Sequence, residues 1–297
     1  MRFWSLILLC LASFACSHKV LHAGPAGESV PPVSDTVIPV SDTVILSEAK
    51  DLFSLLDAKL DEYVTSMSFI SPEEKMQECD FLIGSVSDSL IRNHVALYLY
   101  QKFADSNIMG DEAVTIYLTD NWFVPGKVAF PDYASLATAR VFADFNRQSL
   151  LGMQAPSLMA YTPEGDLLDV LPSNGRLKVL FIYDTSCATC KVESAILNEY
   201  FSTYSGHGFD FIAFYSGADA DAWQQWRETH FTALTSRSDD KISIRNYWDP
   251  EVESDFQRKF GVLSTPKVFL IDENGVIVGR RLDPQALAEL LKIYDLE

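Results

Sequence analysis

The chain has 297 residues, of which 48% are hydrophobic, and its 41 acidic and 23 basic side chains give a formal net charge of −18. This length suggests about two domains, and the hydrophobic content excludes a disordered protein. The acidic residues are spread over both halves without a basic stripe, which argues against a nucleic-acid-binding protein.

Residues 1–16 are similar to a bacterial lipoprotein signal. Arg2 gives a short positive start, and Leu6–Ala15 is an apolar run too short to span a bilayer comfortably. Cys16 is the expected lipidation site, although Ser13 and Phe14 differ from the residues that usually precede such a cysteine. We therefore expect export to the cell envelope or periplasm with a lipid anchor on a membrane. Ordinary signal cleavage and a retained membrane anchor are the alternatives.

Residues 17–46 are predicted to be an extended linker, because prolines recur there and a short VSDTVI repeat occurs twice. Residues 47–150 are predicted to be an all-α helical domain, since apolar side chains recur there every three or four positions. Two predicted helices begin at Ser47 and at Ser71-Pro72, and two more cover Ser89–Ala104 and Tyr133–Leu150. A fifth helix over Asp111–Trp122 is less strongly indicated, because β-branched residues occur in it.

Residues 151–297 are predicted to be an α/β domain, because strand-like and helix-like segments alternate. The predicted strands form a mixed sheet flanked by helices. They are Leu158–Tyr161, Leu167–Leu171, Val179–Tyr183, Phe209–Tyr215, Lys267–Asp272 and Val276–Arg281. The predicted helices are Lys191–Tyr204, Asp219–His230, Asp249–Phe260 and Pro284–Tyr294.

The most informative motif is Cys187-Ala-Thr-Cys190, which lies between a strand-like run and a helix-like run. A helix N-terminus favours a thiolate at the first cysteine, and this spacing lets the two sulfurs close into one disulfide. The motif therefore indicates thiol–disulfide exchange. A static structural disulfide is the alternative, although so short a loop constrains the unfolded chain little. A zinc site would need two further ligands, and Cys79 and the scattered histidines offer no second close pair.

Three segments resemble the exported TlpA/ResA-type thiol–disulfide oxidoreductases, which have a thioredoxin-like fold. They are the approach segment Gly152–Leu158, the strand-to-cysteine join Phe181–Cys190, and Gly261–Gly275 with its Thr265-Pro266 pair. The resemblance covers about residues 150–297. The helical front half is similar to the helical domain that precedes thioredoxin domains in envelope lipoproteins of Bacteroidota.

The resemblance implies a role for each residue of a candidate site. Cys187 would be the nucleophile and Cys190 the resolving thiol, and Glu193 would exchange a proton with Cys190. Pro266 would follow a cis peptide bond and leave the backbone of Thr265 free to pair with an extended substrate. An ordinary trans proline and a solvated Glu193 are the alternatives.

Some positions depart from the family pattern. Ser186 stands where many thioredoxins have tryptophan, and Phe181 stands where they have a buried acid. The dipeptide between the cysteines is Ala-Thr, so the resemblance assigns no reduction potential.

The sequence thus predicts an exported thiol–disulfide oxidoreductase that acts on cysteine-containing proteins or on a membrane thiol-redox partner. It would need no cofactor or metal beyond its redox-active disulfide. A non-catalytic envelope binding module on the same scaffold is the main alternative. A peroxiredoxin is a weaker one, because Asp184 stands where such an enzyme needs a hydroxyl residue.

Other notable residues have a packing role as their simplest interpretation. Cys79 is expected to be a buried core thiol, and Trp223, Trp226 and Trp248 are expected to pack in the core or at its rim. Asp184 is expected to accept backbone hydrogen bonds at a loop end.

Overall fold

The computed structural model describes residues 42–235 and 241–295. The predicted signal, the lipidation site Cys16 and the linker up to residue 41 lie outside the described residues. No helix within the described ranges is both long enough and apolar enough to cross a membrane.

The first half of the described chain is helical, as predicted. Its α-helices are α1 (Asp42–Ser66), α2 (Pro72–Ser85), α3 (Ser89–Ala104), α4 (Asp111–Leu118) and α5 (Tyr133–Asn146), and a π-helical turn, Thr119–Phe123, follows α4. Helix α1 begins at Asp42 rather than at the predicted Ser47. The last proline of the predicted linker is Pro39. Residues 42–46 contain no proline, so no proline ring disfavours helix formation there.

Polar side chains cap the starts of α2 and α3. Ser71 forms a capping box with Glu74 at the start of α2, where Pro72 occupies the first turn. Asp88 accepts the backbone N–H groups of Leu90 and Ile91 at the start of α3. Such caps replace bonds that the first turn of a helix cannot make internally.

The helices enclose their own apolar core. Its fully buried members include Ile83, Leu99, Val114 and Leu118. Cys79 is also fully buried in this core, which confirms its expected packing role.

Seven strands in the described residues form one mixed sheet in the order β2-β1-β5-β4-β3-β6-β7. They are β1 (Met159–Tyr161), β2 (Leu167–Asp169), β3 (Leu177–Tyr183), β4 (Phe209–Tyr215), β5 (Ile242–Trp248), β6 (Lys267–Ile271) and β7 (Ile277–Arg280). Strands β3, β4 and β5 are parallel neighbours, whereas β6 runs antiparallel to β3 and β7.

The helices of this half are α6 (Ala188–Thr203), α7 (Ala220–Thr229), α8 (Thr232–Thr235), α9 (Phe256–Lys259) and α10 (Pro284–Tyr294). Successive residues of β3 point to opposite faces of the sheet. Phe181 packs in a core with residues of α6, α7 and α10, and Leu180 packs in a second core with Phe256 of α9. Helices therefore cover both faces, and the predicted mixed sheet flanked by helices is confirmed.

Two elements differ from the sequence expectation. Strand β5 was not predicted. The predicted helix Asp249–Phe260 is wrong over most of its length, because only Phe256–Lys259 is helical. The Asp249 carboxylate instead accepts the backbone N–H groups of Glu253 and Ser254, closing a turn. Val252 and Asp255 both have positive φ, which interrupts a helix.

Candidate active site

Strand β3 delivers the cysteine motif to one end of the sheet. All seven of its residues are buried, and the chain leaves it through a short turn at Asp184–Ser186. The Asp184 carboxylate accepts the backbone N–H of Ser186 at 2.7 Å, which is the loop-end role expected for it. This turn places Cys187 at the N-cap of α6.

Cys187 occupies the electropositive end of the helix. Its Sγ accepts the backbone N–H of Cys190 at 3.0 Å, so it fills the position that a capping oxygen fills elsewhere. Partial positive charge and a free N–H at this end favour the thiolate form of a cysteine once the disulfide is reduced.

The two cysteines form a disulfide, with their Cα atoms 5.2 Å apart. Their environments differ. Cys187 is half-buried, whereas Cys190 is 0% exposed and packs in the core beneath α6. A substrate sulfur can therefore approach Cys187. Unless the core opens, only the sulfur of Cys187 can react with Cys190.

The loop before β6 completes the site. The Thr265–Pro266 peptide bond is cis, as the resemblance implied. The carbonyl oxygen of Thr265 lies 3.4 Å from the Cys187 Sγ. The structure therefore brings Cys187, Cys190, Thr265 and Pro266 together from two distant parts of the sequence.

Glu193 lies one turn after Cys190 on α6, and residues three apart on a helix are neighbours on its surface. Its Oε2 atom is buried and has no hydrogen-bond partner among the described residues. Burial, aided by the nearby negative charge of Asp283, raises the pKa of Glu193 to about 7. A carboxyl group with this pKa can both accept and release a proton near neutral pH.

The region beneath the motif is aromatic. Phe181 occupies the position where many thioredoxins have a buried acid. It is fully buried against Phe211 and Phe231. The Trp226 ring stacks on Tyr183 with 4.7 Å between ring centroids. Burial of this kind raises the pKa of Tyr183, so its phenol stays protonated.

The three tryptophans singled out in the sequence pack rather than form an exposed platform. Trp223 and Trp226 are both buried, and Trp223 stacks on Trp248 with 4.7 Å between centroids. The packing role expected for these residues is confirmed.

Sequence reasoning missed Lys267, the residue directly after Pro266. It pairs with Ile182 across β6 and β3. Burial, followed by the nearby charges of Arg281 and Arg280, lowers the pKa of Lys267. A lysine that opens the otherwise apolar run KVFLI was the available signal.

No metal centre is built from the described residues. In 42–235 and 241–295, no three His, Cys, Asp or Glu side chains group as metal ligands.

The Redoxin family model matches residues 150–291, which include the cysteine motif and the cis-proline loop. No curated protein shows significant sequence similarity to the chain.

Solved structures resemble the fold. A thioredoxin-like protein from Bacteroides caccae matches with a TM-score of 0.59 and 12% identity, covering 81% of this chain and 84% of its own. This match extends into the helical half, and it confirms a thioredoxin-like fold preceded by helices.

Two further matches each cover about half of the chain. The thioredoxin domain of a thiol-disulfide oxidoreductase from Bacteroides vulgatus has a TM-score of 0.41 and 15% identity, covering 49% of this chain and 97% of its own. A thiol:disulfide interchange protein from a Bacteroides species has a TM-score of 0.41 and 15% identity, covering 50% and 93%.

Proposed function

We propose that the protein is a thiol–disulfide oxidoreductase acting on cysteines of proteins or peptides, which the match of residues 150–291 to the Redoxin family model supports. One observation carries this proposal. A half-exposed Cys187 at a helix N-terminus is bonded to a buried Cys190, beside the Thr265 carbonyl. No further cofactor is needed, because the disulfide itself holds and releases two electrons.

In the reducing direction, the Cys187 thiolate attacks one sulfur of a substrate disulfide. The substrate S–S bond breaks, its other sulfur leaves as a thiolate and takes up a proton, and a mixed disulfide joins the substrate to Cys187. The helix N-terminus lowers the cost of the attacking thiolate.

Resolution then uses the buried partner. Cys190 gives its proton to Glu193 and attacks the Cys187 Sγ, which forms the protein disulfide and releases the second substrate sulfur as a thiolate. The proton on Glu193 leaves to solvent or to that thiolate. The substrate gains two electrons and the protein loses two. A thiol-redox partner at the membrane would return them, and every step can run in reverse.

The Thr265 backbone supports a way of holding the substrate. Its carbonyl faces the Cys187 sulfur at the start of β6. An extended substrate segment can pair with this backbone and so place its own sulfur in line with Cys187.

The test is exchange by the purified protein. The reduced protein is mixed with a peptide disulfide, and free thiols are followed with time. Wild type is expected to consume the disulfide, and Cys187→Ser is expected to be inactive. If Cys187→Ser kept full activity, or if the native pair stayed inert toward dithiothreitol, the proposal would fail. A non-catalytic binding module would then account better for the chain.

We also propose that the protein is exported and lipid-anchored through Cys16, which the apolar run Leu6–Ala15 supports. Metabolic labelling with radioactive palmitate in a bacterial host tests this. Wild type is expected to carry the label in the membrane fraction, and Cys16→Ser to lose it. An unlabelled wild-type protein would contradict the anchor without affecting the exchange chemistry.

A further inference from the structure

A cavity of about 320 Å³ lies between the two halves of the chain, and neither cysteine of the pair lines it. One wall is the segment that enters α4, and the other is the end of β7 with the start of α10. Its apolar lining consists of Ile108, Met109, Leu282, Ala286 and Leu290. A cavity of this size at a domain boundary, with a mostly apolar lining and a few polar groups, is typical of a small-molecule site.

Arg280 forms the back of this cavity. Its side chain is 2% exposed, and its Nε lies 2.8 Å from Glu112 Oε1 while its Nη2 donates to Asn146 Oδ1. Nη1 is buried with no hydrogen-bond partner among the described residues, and Nε faces Glu112 as an ion pair without an aligned hydrogen bond. Glu112 supplies the counter-charge, but an unpaired donor of a buried guanidinium is costly, so a further acceptor at this wall would be favourable.

Arg281 supplies an exposed cation in the cavity lining. Its side chain is exposed, and it has no hydrogen bond or ion pair to any other described side chain. A free guanidinium offers a planar fork of donors that fits a carboxylate with two parallel hydrogen bonds.

The acids at the cavity are already engaged. Glu112 holds the Arg280 Nε and accepts the Gly110 N–H, and Glu289 pairs with Lys292 at 2.7 Å. Both acids that line the cavity are therefore occupied by a cation, which leaves the guanidinium of Arg281 available to a ligand.

We propose that this cavity binds a small organic carboxylate with a short apolar body. The carboxylate would pair with the guanidinium of Arg281, and the apolar body would lie against Met109, Leu282 and Leu290. This proposal does not rest on the proposed exchange reaction.

The probe is sodium hexanoate, titrated calorimetrically into the full wild-type chain. A ligand of about eight non-hydrogen atoms is expected to bind at about millimolar strength. Hexanamide has the same shape without the charge, and inorganic phosphate has the charge without the apolar body. Both are expected to bind at least about tenfold more weakly.

The matched variants are Arg281→Gln and Arg140→Gln, since Arg140 is an exposed arginine of α5. Arg281→Gln is expected to weaken hexanoate binding about tenfold or more, and Arg140→Gln to leave it unchanged. Both should keep the unliganded melting temperature and the exchange activity of wild type, which shows that they fold.

Three results would overturn the proposal. They are no saturation by hexanoate at about 10 mM, equal binding of hexanamide or phosphate, or equal weakening by both arginine variants. None of these results bears on the chemistry of Cys187, so failure here and failure of the proposed function can be told apart.

Discussion

The Cys187 Sγ lies 3.4 Å from the carbonyl oxygen of Thr265, although 78 positions separate the two residues in the sequence. The sheet causes this approach. Strands β3 and β6 are antiparallel neighbours with Ile182 opposite Lys267, so the chain leaving β3 meets the chain entering β6. Strand pairing thus places the proposed nucleophile beside the backbone proposed to hold its substrate.

The unequal burial of the two cysteines predicts unequal effects of their removal. Cys190→Ser is expected to attack a substrate disulfide normally but to stall as a mixed disulfide on Cys187, because the resolving thiol is absent. Intact-protein mass spectrometry under non-reducing conditions should show the added mass of the peptide. Cys187→Ser should show none.

Cys79 is the matched control for this pair, since it is a fully buried thiol in the helical half. Burial raises the pKa of Cys79, which keeps it protonated and unreactive. Cys79→Ala should therefore exchange at the wild-type rate. Trapping of peptide on Cys190, or a loss of activity in Cys79→Ala, would contradict the assignment.

Glu193 predicts a pH dependence of both activity and stability. Its folded-state pKa is raised from 4.5 to about 7, so the folded protein holds more protons than the unfolded chain between these values. The free energy of unfolding therefore falls as pH rises through this window. Because the side chain is about half exposed, screening reduces the full effect to about 1–2 kcal/mol.

Glu193→Gln removes this titration. Above pH 7 the variant should be more stable than wild type by about 1 kcal/mol, and at pH 5 the two should be alike. Its resolution step should also lose the inflection near pH 7. Urea unfolding and stopped-flow exchange at several pH values measure these effects. Glu199→Gln, an exposed acid on the same helix, is the control, and an equal response there would sink the role of Glu193.

The residues of the candidate site could largely be identified from the sequence, because their signals are local. Cys187, Cys190 and Glu193 lie within one turn-and-helix segment, and Thr265-Pro266 sits immediately before a strand. The order of strands and helices then fixes which segments meet. Local pattern and sheet topology together suffice to bring these residues to one place.

Strand β5 escaped prediction because its residues, Ile242–Trp248, include polar side chains and are mostly only half-buried. Its place is set by neighbours instead. It pairs along its whole length with β4, and Arg245 reaches the buried Asp210 of β4 at 3.4 Å. The contact of Arg280 with Glu112 could not be predicted from the sequence either, because no local pattern around one residue indicates the other.

The ion pair between Glu112 of the helical half and Arg280 of the α/β half predicts a large effect on stability. Glu112 and Arg280 are both almost fully buried, and Glu112→Gln leaves the guanidinium without its counter-charge. A cost of about 3–5 kcal/mol in the free energy of unfolding is expected. The double variant Glu112→Gln/Arg280→Met should cost clearly less than the two single variants added together. Urea unfolding measures all three.

The exposed pair Lys59–Glu62 is the control, because both side chains are more than half exposed. Glu62→Gln should change the stability by no more than about 0.5 kcal/mol. If Glu112→Gln cost as little as Glu62→Gln, the two halves would not be held together by this ion pair.

Gly261 predicts a second kind of coupling, between the loop leading to Thr265 and the helical half. Its φ is +64°, where side chains are disfavoured, and a Cβ there would lie 2.5 Å from Asn146 Oδ1. That oxygen accepts the Arg280 Nη2, so an added methyl group must displace an acceptor that a buried cation needs. Gly165 has a φ of +90° with nothing within 4 Å of such a Cβ.

Comparing the two alanine variants separates backbone strain from this contact. Gly165→Ala should cost about 1 kcal/mol through its backbone alone. Gly261→Ala should cost at least about 1 kcal/mol more, because it also disturbs a hydrogen bond to a buried charge. Because Gly261 begins the loop that carries Thr265, its variant should also slow exchange, whereas Gly165→Ala should not. Equal urea midpoints for the two variants would show that Asn146 yields without cost, and that the helical half does not brace this loop.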